Sequence, residues 1–221
     1  MKKTLDKKQS PFFASVFTVS SHEPYIVPEK YKNRFKEGKI PMHKCVEYTD
    51  FALQQFFKAA KKSAWFENTI FILVADHGNQ VFYDEYNQQV NRFAVPIIIY
   101  KPNSKYVGID TDLAQQIDIY PTILDMIGYQ KSFRSWGRSL FDKKTIAPFV
   151  INSTGDVTHF LKGNYICTFD GKKATGFYDK DDKGLIKNLI SNRNAEMNDL
   201  EIECKCFYQD YMNRIIDKKM F

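Results

Sequence analysis

The chain has 221 residues, 43% apolar and 26% charged, which excludes a wholly disordered polypeptide and fits one α/β domain with a small appendage. Its 32 Lys and Arg against 26 Asp and Glu give a net charge of +6, yet the basic residues are scattered and carry no nucleic-acid-binding signature. The mild positive field favours an anionic substrate or an anionic membrane surface, and no run approaches the roughly 20 apolar residues of a membrane-spanning helix.

The opening residues 1–10, MKKTLDKKQS, are basic with no apolar stretch behind them. They read as a disordered tail, not a signal peptide. Phe12 to Val19 is rich in aromatic and β-branched residues between Pro11 and Ser20-Ser21, which predicts a buried strand. The next thirty residues, with Pro28, Gly38 and Pro41, read as a surface excursion. A helix is predicted from about Met42 to Lys62, with Val46, Leu53, Phe56, Phe57 and Ala60 at helical spacing and lysines near its C-terminal end.

A strand at Ile70 to Ala75 follows, then a polar loop from Asp84 to Arg92. Phe93 to Tyr100 contains a further strand, whose start Pro96 sets at Pro96 or Ile97. Asp118 is placed to cap a second helix, with Pro121 in its first turn, Gly128 as its stop, and Ile119, Ile123 and Ile127 marking its buried side. Near-continuous apolar strands alternating with helices imply an α/β fold, a mostly parallel sheet covered by helices on both faces. The domain of this kind is assigned to residues 11–146.

From residue 147 the character changes. A hairpin is predicted about Asp170-Gly171-Lys172, and Phe207, Tyr211 and Ile215 at four-residue steps predict a terminal helix. Residues 147–221 therefore read as a small β-rich subdomain ending in a helix. The four cysteines have no zinc or thioredoxin spacing; in a strand, Cys204 and Cys206 share one face, and burial is the expectation.

The chemistry concentrates at the strand end TIFILVADHGNQ. In parallel α/β sheets, ligands sit beyond the carboxyl ends of the strands. Where a strand breaks at Gly78, Asp76 and His77 can turn to one centre, and a carboxylate with a neutral imidazole is a ligand pair for zinc or manganese. The same residues also suit an acid–base couple without metal, or a cap beside a surface histidine. His22, in TVSSHEPY, ends the other apolar run and joins the pair as a candidate. Arg92 is a weaker candidate for an anion contact.

Four segments, in order, resemble the sulfatase and phosphoglycerol-transferase branch of the alkaline phosphatase superfamily, above all its lipoteichoic-acid-synthase-like members. They are FTVSSHEPY, the stretch ending NTIFILVADHG, VPIIIYKP, and QIDIYPTILDMIGY. The resemblance covers residues 11 to 142 and, more loosely, the helix CFYQDYMNRII. It implies that Asp76 and His77 ligate one or two divalent cations (Mn, Zn, Mg or Ca). It also implies that His22 contacts the substrate or protonates the leaving group, and that a Thr, Ser or formylglycine nucleophile forms a covalent intermediate. The implied substrate is an anionic phospho- or sulfo-ester, a phospholipid headgroup among the options, and phosphoethanolamine transfer is the alternative reaction.

In that family the nucleophile precedes the histidine motif. Here neither Thr4 nor Ser10 follows a strand and opens a helix. The expectation is a C-terminal portion of such a catalytic domain, separated by truncation or gene splitting and inactive alone, whose parent is membrane-anchored with the domain outside the cytoplasmic membrane. Its expected partners are the missing N-terminal half, or a second copy across the open sheet edge. A non-catalytic binding remnant and a small independent hydrolase using His22 are the competing readings.

Overall fold

The structure is a computed structural model, which describes residues 1–220. The chain divides into two compact units. The first comprises Met1–Ala75, Asn79–Phe82 and Pro96–Gly108, and the second comprises Asp76–Gly78, Tyr83–Val95 and the chain from Ile109 onward.

In the first unit the central helix is α2, Pro41–Ala60, with Pro41 in the first turn where its missing N–H costs nothing. It buries Cys45 and Ala60, while Val46, expected on the buried side, is exposed. The strands β1, Phe71–Val74, and β2, Ile97–Tyr100, pair in register Phe71 to Tyr100 and Val74 to Ile97. Phe57 of α2 meets Phe71 in a tilted contact at 5.0 Å and Tyr100 edge-on at 5.7 Å, and Phe66 closes the cluster against Phe71 at 5.3 Å. These aromatic contacts, rather than aliphatic burial, hold the helix to the strand pair.

The α/β class holds. Strand direction departs from expectation, because every ladder among the described residues is antiparallel. Parallel neighbours need a crossover, usually an α-helix, whereas residues 75–96 form only short 310 turns, Asp84–Asn87 and Asn91–Phe93. An apolar run reads alike in either direction.

Two further expectations need correcting. Residues 12–19 have no regular secondary structure and join no ladder among the described residues, and Phe13 is 86% and Phe17 73% exposed. Strand composition does not make a strand without a neighbour to bond. Residues 1–10, read as a disordered tail, include a helical turn, α1, Lys2–Leu5. Leu5 is buried, and Asp6 accepts hydrogen bonds from Ser63 Oγ at 2.8 Å and Trp65 Nε1 at 2.9 Å.

The second unit is built on an antiparallel meander: β3, Phe149–Thr154; β4, Val157–Lys162; β5, Tyr165–Phe169; and β6, Ala174–Asp179. The first two hairpins turn at Gly155 and Gly163, both at positive φ, a conformation only glycine adopts freely. A long helix α4, Ala195–Ile216, packs on one face over Phe160, Cys167, Phe169 and Phe177. It starts at Asn194, whose side chain accepts the Met197 N–H at 2.9 Å, so the helix is a full turn and more longer than its later-half periodicity suggests. On a helix Cys204 and Cys206 point apart: Cys204 is buried and Cys206 exposed.

The helix α3, Ile119–Met126, stops at Gly128 (φ +72) as expected. Asp118, however, does not cap it with its own side chain. A 310 turn, Gln116–Asp118, extends the start, and Asp118 instead accepts the Gln115 N–H at 3.0 Å and the Arg138 N–H at 2.9 Å. Burial pushes this carboxyl above its usual range, and the two amide donors oppose that. Pro121 and Thr122 are the buried residues of α3, and Ile127 is exposed.

Candidate metal and substrate site

Asp76, His77 and Gly78 belong to the second unit. Asp76 Oδ1 accepts the His77 N–H at 3.0 Å, which folds the carboxylate back over the break. His77 Nδ1 lies 2.6 Å from the Gly78 carbonyl oxygen and donates to it. That bond fixes the tautomer and leaves the Nε2 lone pair for a ligand. Nε2 sits 3.6 Å from Asp76 Oδ2, a gap that two metal–ligand bonds of about 2.1 Å to a shared ion can span. Both side chains are more than half exposed.

Two neighbours hold this break in place. Gln116 Nε2 donates to the Asp76 carbonyl oxygen at 3.1 Å. Gly78 faces the Arg92 carbonyl oxygen, which an added Cβ would meet at 3.0 Å. The loop can approach that closely only without a side chain.

His22 belongs to the first unit. It opens a tight turn through the cis Glu23-Pro24 peptide, closed by the Tyr25 N–H on the His22 carbonyl at 2.9 Å. Its Nδ1 engages the Glu23 carbonyl oxygen at 3.0 Å, so His22, like His77, keeps Nε2 for other work. Asn79 ties both ends of the turn: its Oδ1 accepts from Tyr25 Oη at 3.1 Å, and its Nδ2 donates to the Ser21 carbonyl at 3.3 Å.

The donor set suits a divalent ion in type, one carboxylate oxygen and one neutral imidazole nitrogen. Among the described residues no group of three or more His, Cys, Asp or Glu side chains is arranged to hold a metal. Gln116 and Asn79 escaped the sequence reading. Each is a neutral amide acting on main-chain carbonyls or a tyrosine hydroxyl, and no spacing rule marks such a role. Tyr25 lies within the histidine motif TVSSHEPY, where its spacing alone marks no role.

The sulfatase family model matches residues 1–129. The chain is 25% identical over 157 residues to lipoteichoic acid synthase 1 of Bacillus subtilis, covering 63% of this chain and 24% of that protein. It is 24% identical over 212 residues to the lipoteichoic acid synthase of Staphylococcus aureus, covering 86% of this chain and 29% of that one. The chain thus spans 24% and 29% of the length of these two relatives. A crystal structure of an alkaline phosphatase superfamily protein from Vibrio parahaemolyticus aligns with a TM-score of 0.76 at 28% identity, over 96% of this chain and 52% of that one. With the match extending from the first residue through α3, and with the fold shared almost end to end, the chain belongs to the sulfatase family.

Proposed function

We propose that this chain is part of a metal-dependent phosphoglycerol transferase or phospho- or sulfo-ester hydrolase of the sulfatase family, with Asp76 and His77 as ligands of a divalent cation and His22 as the substrate-contacting acid. The observation that carries the reading is the His77 ring, fixed by its bond to Gly78 with Nε2 beside the Asp76 carboxylate. Lipoteichoic acid synthases among the relatives favour glycerol phosphate as the transferred group; phosphoethanolamine is the alternative.

When bound, the cation supplies positive charge that stabilises a nucleophilic alkoxide and the non-bridging oxygens of the ester. The nucleophile, a Thr or Ser or a formylglycine, comes on this reading from polypeptide outside these residues. As its oxygen bonds to phosphorus, the bond to the leaving oxygen breaks. A protonated His22 keeps its Nδ1–H on the Glu23 carbonyl and passes the Nε2 proton to that leaving oxygen. An incoming hydroxyl then attacks phosphorus, returns its proton to His22 Nε2 and releases the nucleophile as alkoxide, so protons balance over the cycle.

On this reading the active protein is held at a membrane and works outside the cytoplasmic membrane. Among the described residues no helix is long and apolar enough to cross one. The purified chain alone is expected to cleave no p-nitrophenyl phosphate or sulfate. Metal-dependent cleavage that Asp76→Ala abolishes would place the nucleophile within these residues and contradict that part.

A second reading, a non-catalytic interaction module, draws on the exposed apolar segment that carries Phe13, Val16, Phe17 and Val19. We propose that its occupant is a polypeptide supplying further strands of the same domain, since the chain matches 52% of its structural relative. Light scattering separates the outcomes: a monomer that binds such a polypeptide supports this, and a dimer formed through residues 12–19 points to a second copy instead.

A further inference from the structure

One cleft of the second unit takes no part in that chemistry. It encloses about 450 Å3, within the range of small-molecule sites. Trp136, Tyr208 and Tyr211 supply aromatic faces, and Gln116, Asn152 and Ser153 supply neutral amides and a hydroxyl. Among the described residues that line it, none is charged, in a chain where 26% of residues are.

The aromatic wall is held rigid before any ligand arrives. Trp136 Nε1 donates to Asp210 Oδ2 at 2.6 Å, the Arg214 guanidinium lies over the indole at 5.3 Å, and Tyr211 meets it edge-on at 5.8 Å. Tyr208 is anchored against the core residue Phe169 at 5.5 Å. The polar wall is also built. Gln115 clamps the free edge of β3, donating to the Phe149 carbonyl at 2.9 Å and accepting the Ile151 N–H at 3.2 Å. Next to it Gln116, which lines the cleft, donates to the Asp76 carbonyl at 3.1 Å. One side chain therefore touches both the cleft and the segment carrying the metal-ligand pair.

We infer that this cleft binds the uncharged, polyhydroxylated portion of a substrate, a sugar or polyol group whose phosphate is handled at Asp76 and His77. Ring faces cover the C–H surface of such a group, and amides and hydroxyls both donate and accept, as its hydroxyls require. A phosphate would find no cationic partner here and would lose its hydration uncompensated. The inference rests on the proposed ester chemistry for what occupies Asp76 and His77, but sugar binding itself needs no metal.

The test is a titration of the isotope-labelled full chain, metal-free, with methyl β-glucopyranoside, with glycerol and with inorganic phosphate. The Trp136 indole N–H and the side-chain amides of Asn152 and Gln116 are expected to shift saturably, in the millimolar range, with a neutral ligand and not with phosphate. Saturation by the glycoside assigns a sugar; saturation by glycerol alone assigns a small polyol. Tyr211→Ala is expected to weaken binding about tenfold, and Asn152→Ala to weaken it while leaving the resonances of β4 and β5 in place. No saturable shift with either neutral ligand, or saturation by phosphate at the same residues, overturns the inference. The double variant Asp76→Ala, His77→Ala is expected to keep the glycoside midpoint within about twofold. A chain that binds the glycoside yet binds no divalent ion would sink the ester reading and leave the cleft assigned.

Discussion

His77 and Gly78 are joined by a 2.6 Å bond from the imidazole Nδ1 to the next residue's carbonyl, so the ring orientation depends on the backbone path of a glycine. That path runs against the Arg92 carbonyl, which a Cβ at position 78 would meet at 3.0 Å. Gly78→Ala must therefore displace the loop by a few tenths of an ångström or more. The expected cost is about 1 kcal/mol in urea unfolding, with a larger effect on divalent-ion affinity, which should fall about tenfold as the ring turns. An unchanged affinity would mean that the Gly78 bond does not position His77.

Gly137 is a more severe case. An added Cβ there would overlap the Ile117 carbonyl, which is main chain and cannot swing away. Gly137→Ala is expected to destabilise the second unit by about 3 kcal/mol, read as a lowered urea midpoint with unchanged slope.

Glu201 binds α4 to the sheet. Burial pushes its carboxyl up, but Lys205, the Ala174 N–H at 3.1 Å and Arg193 at 2.5 Å outweigh that and hold it at about 2, against 4.5 for a free glutamate. A depressed folded value means stability present above pH 4.5 and lost as pH falls through about 2. The contribution is of order 3 kcal/mol. Glu201→Gln should lower the unfolding midpoint at pH 7 and flatten the acid dependence between pH 4.5 and 2. A variant with the parent's acid profile would exclude Glu201 as its source.

His159 behaves differently. It is buried on β4 against Phe93 at 6.4 Å, its Nδ1 has no hydrogen-bond partner among the described residues, and burial lowers its pKa from 6.5. The folded state holds the neutral ring, so stability is full above pH 6.5 and declines as pH falls through the lower folded value. His159→Phe removes the ionisable ring and an unsatisfied nitrogen together. It is expected to be neutral or stabilising at pH 7 and to abolish the loss of stability on mild acidification. Retention of that loss would assign it to another group.

The legible parts of the fold were those where local chemistry decides. The lysines after Phe57 mark the end of α2, Gly128 ends α3, and Asp170-Gly171 turns the last hairpin, whereas Pro41, read as part of the surface excursion, is the first residue of α2. The turns at Gly155 and Gly163 went unread because Gly-Asp and Gly-Asn sit inside a run whose alternation is broken by Asn152, Ser153 and His159. Strand direction was hidden because Phe71–Val74 and Ile97–Tyr100 are apolar on both faces, and periodicity carries no polarity. Phe12 to Val19 has the composition of a strand, but pairing depends on a neighbour that composition cannot supply. Asp76 and His77 stand out in the sequence because an acid and an imidazole end an apolar run at a glycine. Sequence gives no signal for Gln116 or the neutral cleft, because uncharged side chains from β3, β4, α4 and the segments ahead of β3 meet only in the fold.

The most direct test adds Mn2+ to the isotope-labelled chain and maps paramagnetic broadening. The account expects broadening centred on Asp76, His77 and Gly78, with the His77 ring protons lost first, and none at that position in the Asp76→Ala, His77→Ala variant. Broadening centred instead on another carboxylate cluster, such as Asp110 and Asp112 beside Lys143, or equal broadening in the variant, would contradict it.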